Sequence, residues 1–113
     1  MRFALIATSV AAVIAIPLAA GASAPQMSSD AFVSAVRCTA YENVALPNAD
    51  VGAAKFRLNG EAAKQSAAAV AEAHKAASDI ARAAAAADNS DALAQRACHG
   101  MTAASLTSSL QDA

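Results

Sequence analysis

The chain has 113 residues, 57% of them hydrophobic, with only 4% aromatic, 15% charged and a formal net charge of −1. That near-neutral balance indicates neither a basic nucleic-acid surface nor a polybasic membrane face. The apolar fraction overstates the core, because from Ser23 onward only sixteen residues are Leu, Ile, Val, Phe, Met or Tyr, and alanine supplies much of the rest.

Residues 1–22 read as a secretory signal peptide. Met1-Arg2 is a short positive start, Phe3 to Ile16 is apolar apart from Thr8 and Ser9, and Pro17 precedes the small residues Ala19 to Ala24. Charge, apolar run and small-residue exit are the order such a segment needs. Cleavage sites end at Ala22 and at Ala24, and Pro25 directly behind Ala24 is poorly placed at a scissile bond, which favours Ala22. The rival reading is an uncleaved anchor, but the run is barely long enough to span a bilayer. No Cys lies near the exit, and no second apolar run follows. The expected product is exported, periplasmic or extracellular, in an oxidising compartment, with no stable membrane insertion after signal removal.

Residues 23–113 form the expected single domain, with seven basic and nine acidic residues and a net charge of −2. Its few large side chains make a marginal core at this length. A disulfide, an oligomer or a partner must add to it.

In chain order, Ser28 or Ser29 caps a first helix over 29–46, Asp30 suits its positive end, and Pro47 stops it. Asp50 caps a second element over 50–58. An alanine-rich helix over 60–87 follows, and a turn at Asp88-Asn89-Ser90 leads into a last helix over 90–106, with a polar tail from Thr107. Strand-like alternation is missing throughout. The expected fold is an all-α bundle of three to four helices.

The middle segment carries two stripes. Glu61 with Lys64, Glu72 with Lys75 and Asp79 with Arg82 are acid–base pairs spaced three apart, and all six lie within a stripe about 80° wide. Opposite runs Phe56, Asn59, Ala63, Ser66, Val70, Ala73, Ala77, Ile80, Ala84 and Ala87, with the three–four spacing of a helix-packing seam. Small seam residues allow close approach but bury little area. Within this segment Asn59-Gly60 is a turn signal, while the unbroken seam phase favours a continuous helix.

Among candidate sites, Gln95-Arg96-Ala97-Cys98-His99 resembles the end of a cytochrome c′-type four-helix bundle. That resemblance implies a haem attached through Cys-x-x-Cys-His. Gln95 stands where the first Cys belongs, so no haem is expected. A zinc site from Cys38, His74, Cys98 and His99 has suitable ligand types but lacks the close ligand pairs of structural zinc sites. No nucleophile sits in an activating motif and no Gly-rich loop is present, so neither enzyme activity nor a cofactor is expected.

Cys38 and Cys98 then read as a disulfide. Its geometry tests the fold. Were residues 50–87 one straight helix of about 57 Å, flanking helices folded back along it would hold the two cysteines about 30 Å apart. A bridge allows roughly 4–7 Å between Cα atoms. Pairing within the chain therefore requires a break near Asn59-Gly60. A straight helix would instead leave pairing between two chains, or free thiols. The reading preferred is a bundle stapled by Cys38–Cys98, acting as a non-enzymatic structural or interaction module of the cell envelope. Its partner would be an unknown protein or a second copy of the chain along the alanine seam. The alternative is an amphipathic membrane-surface or hydrophobic-ligand binder, with a haem or metal protein less favoured.

Overall fold

The structure is a computed structural model that describes residues 24–86 and 90–110. Residues 1–22, read as a signal peptide, lie outside the described residues. The described residues hold five helices, in order: α1 (Ser29–Ala45), α2 (Gly52–Ala62), α3 (Ala67–Ala86), α4 (Ser90–Cys98) and α5 (Ala103–Thr107). Among the described residues there is no strand and no helix long and apolar enough to cross a membrane.

α1 begins where Ser28 Oγ accepts the Ala31 N–H at 3.1 Å, with Asp30 in the first turn at the positive end of the dipole. It ends at Leu46, one residue before Pro47. This helix is the centre of the bundle and touches all four others, most extensively α3. Phe32, Val36 and Ala40 are fully buried on one side, and so are Ala35, Cys38 and Thr39 on others. A helix buried almost all round must satisfy its polar side chains internally. Thr39 does so by donating its hydroxyl to the Ala35 carbonyl at 2.7 Å.

α2 runs straight through Asn59-Gly60, where a break was expected, and ends at Ala62. The break falls instead at residues 63–66, where Ser66 Oγ accepts the Ala69 N–H at 3.1 Å and so starts α3. Gly and Asn inside a helix cost about 1 kcal/mol or less each relative to Ala. Full burial of Leu58 and the anchoring of Glu61 on the far side of that pair outweigh the cost. The chain still turns, so the cysteines still meet.

α3 buries Ala69, Val70, Ala73, Ala77, Ile80 and Ala81. The seam expected for an external partner is, from Val70 to Ile80, filled by α1 of the same chain. Its first part does not continue it: Phe56 is 53% exposed on α2, and Ala63 and Ser66 lie in the turn. Ala84 is half-buried against the core.

The last expected helix, over 90–106, is two helices. α4 stops at Cys98, because His99 (φ 53°) and Gly100 (φ 78°) take left-handed conformations that let the chain reverse. Thr102 then caps α5 in a reciprocal box with Ser105. Leu110, in the tail read as polar, is buried in the core cluster.

Candidate functional site

Cys38 and Cys98 form a disulfide, with Cα atoms 4.7 Å apart across a sequence separation of 60. It joins the middle of α1 to the last residue of α4. Beside it lies Glu42, one turn along α1, only 8% exposed. Glu42 Oε2 accepts the Ala103 N–H at 2.8 Å. That N–H is one of those a helix start leaves without an internal partner, and a carboxylate suits the positive end of the dipole. Glu42 thus docks α5 onto α1.

The carboxylate also lies 3.7 Å from Cys38 Sγ, and Cys98 Sγ lies 3.8 Å from the Cys38 carbonyl oxygen. A disulfide sulfur has no proton to donate, so both are contacts only. The ligand atoms of Cys38, Glu42 and Cys98 lie within 4.8 Å of one another. Two of the three are spent in the bridge, which leaves a single carboxylate and no metal-binding set.

The other residues considered for a metal stay apart from this cluster. His99 is exposed at the α4–α5 turn. His74 lies on α3, half-buried, with its Nε2 buried and without a hydrogen-bond partner among the described residues.

A second buried carboxylate escaped the sequence reading. Glu61, placed there in the solvated charge stripe, is only 2% exposed. Its Oε2 accepts the backbone N–H groups of Gln26 at 2.9 Å and Met27 at 3.1 Å, together with the Gln65 amide at 2.8 Å. Gln65 also donates to the Met27 carbonyl at 2.9 Å. The end of α2 thereby clamps the segment leading into α1. The charge stripe itself survives on α3: Arg82 pairs with Asp79 at 4.0 Å as expected, while Lys75 bonds Asp79 at 2.8 Å rather than Glu72.

Among the clefts on the surface of the described residues are two that border α1 and α4. One, of about 560 Å³, borders the bridge and is lined by Tyr41, Glu42, Leu46, Asp91, Cys98 and Met101 among others. The other, of about 330 Å³, lies between α1, α3 and α4 and is lined by Arg37, Ala76, Asp79, Ile80 and Arg96.

No protein-family model, curated protein or solved structure matches this chain.

Proposed function

We propose that this chain is an exported, non-enzymatic structural or interaction module of the cell envelope, periplasmic or extracellular. The observation that carries the reading is the Cys38–Cys98 bridge at the centre of a bundle whose core is rich in alanine. Such a staple persists in an oxidising compartment, where the order of residues in 1–22 would send it. The two most buried carboxylates support a structural role as well, because Glu42 and Glu61 hold chain segments in place.

The test begins with expression of the whole chain in a host with a periplasm, followed by intact-mass measurement with thiol alkylation, non-reducing and reducing. The expected product starts at Ser23 or Pro25, is monomeric in its bridge, and has no alkylatable thiol. A full-length chain with two alkylatable thiols would overturn export. Cross-linking in the native envelope then addresses the interaction role, which fails if the chain links neither to itself nor to another protein.

A second reading, a hydrophobic-ligand binder, is favoured by the larger cleft, whose rim carries Leu46 at 45% and Met101 at 50% exposure. Titration with a fluorescent apolar probe tests it. Loss of signal in Met101→Gln supports that site, and no saturable signal removes the reading.

A further inference from the structure

We infer that the cleft between α1, α3 and α4 is an anion site that takes a phosphate group through Arg37 and Arg96. The inference stands apart from the envelope role proposed above. Arg37 of α1 and Arg96 of α4 line this cleft together with the buried Ile80 and half-buried Ala76 of α3. Among the described residues neither guanidinium has a hydrogen-bond or ion-pair partner, although the chain carries more acids than bases. Asp79, the acid in the cleft, is already engaged by Lys75 at 2.8 Å and faced by Arg82 at 4.0 Å. Two cationic side chains and one carboxylate thus line the cleft, and that carboxylate is engaged by two further cations outside it.

The disulfide makes this pair of arginines a fixed arrangement. Arg37 directly precedes Cys38, and Arg96 lies two residues before Cys98. With those Cα atoms 4.7 Å apart, the helices that carry the arginines cannot separate. Less ordering is then required when a ligand binds. Guanidinium forks match the oxygens of phosphate and carboxylate alike. Two forks reaching in from different helices select the tetrahedral group, which offers acceptor oxygens on several sides, whereas a carboxylate offers one edge. At about 330 Å³ the cleft exceeds a single phosphate, and Ala76 with Ile80 gives an apolar surface for the body of an ester. The phosphate could reach the cleft as a free small molecule or as the headgroup of an anionic lipid.

The experiment is an amide NMR titration of the disulfide-intact protein with inorganic phosphate at constant ionic strength. Expected are saturable shifts confined to the neighbourhoods of Arg37, Ala76, Ile80 and Arg96. Arg37→Gln and Arg96→Gln, each checked for an intact bridge and unchanged helical signal, weaken binding by about tenfold, the loss of one charge-assisted interaction. Asp79→Asn tightens binding by removing the like charge, and the distant Lys55→Gln changes nothing. Shifts scattered over the surface, or affinity indifferent to both arginine variants, overturn the site. A parallel arm measures sedimentation with phosphatidylglycerol vesicles and with phosphatidylcholine vesicles. Arginine-dependent binding to the former alone identifies a lipid headgroup. Phosphate binding without vesicle binding identifies a free phosphate compound, and binding to neither overturns the inference.

Discussion

At the scale of single residues, Glu61 shows how a charge expected in solvent becomes a structural part. Its Oε2 receives three N–H donors, two of them from the backbone just before α1. Hydrogen bonds to a charged acceptor are worth more than neutral ones, and stranded donors cost free energy in addition. Glu61→Ala should therefore lower stability by about 3 kcal/mol. It should also abolish hydrogen-exchange protection at the Gln26 and Met27 amides, whereas retained protection would mean that the clamp is incidental. Asp79 lies at the other extreme, on an exposed face. The Lys75 hydrogen bond holds its carboxyl below the usual range, with Arg82 adding a lesser pull. A carboxyl lowered on folding contributes stability above its unfolded pKa and loses that contribution as pH falls through the folded value. Lys75→Met should move the Asp79 titration midpoint upward, as read by carboxyl-carbon NMR, with hardly any change in neutral-pH stability because exposed pairs contribute little. An unmoved midpoint would dismiss the pair.

At the scale of elements, local signals were readable and distant ones were not. Ser28, Asp30 and Pro47 bound α1 because caps, dipoles and prolines act within a turn of the backbone. The spacing of Val70, Ala73, Ala77 and Ile80 likewise announced one buried face of α3. What covers that face was not written there, since small residues suit a second chain and α1 equally. Asn59-Gly60 misled because a turn signal is a preference of about 1 kcal/mol, and the burial of Leu58 beside it exceeds that. Glu42 and Glu61 were illegible for another reason: their backbone partners lie 61 and about 35 residues away. The split of the last helix follows from Glu42 as much as from Gly100. Five residues make a helix too short to persist alone, so α5 depends on its Thr102–Ser105 box and on the Glu42 carboxylate at Ala103. Glu42→Ala should cost about 2 kcal/mol for the buried N–H left unpaired. The loss should be local, with amide exchange at Ala103 to Thr107 accelerated while α1 and α3 keep their protection. Uniform acceleration across all helices would show that α5 is not a separate docking unit.

At the scale of the whole molecule, the question is what compensates for a core so rich in alanine. Each buried alanine removes little apolar area from water, and the fully buried large side chains reduce to Phe32, Leu58 and Val36. The α1–α3 contact is the most extensive, whereas α4 meets α1 and α3 over a much smaller area. The bridge acts where packing is thinner, between α1 and α4. Closing a span of 60 residues restricts the unfolded chain by about 4 kcal/mol on the loop-entropy model. Small domains have about 5–15 kcal/mol in total, so this one restraint is a large share of what holds the native state. Replacing both cysteines, Cys38→Ala with Cys98→Ala, should lower Tm by about 15–30 °C for a domain of this size. The losses should be ordered in space. α4 and α5 lose exchange protection first, because the bridge and Glu42 tie them to α1, while the α1–α3 pair loosens only with global unfolding. A double variant that melts within a few degrees of the parent would place the stability in the alanine interface of α1 and α3. The bridge would then be a consequence of that packing, formed because α1 and α4 already lie side by side.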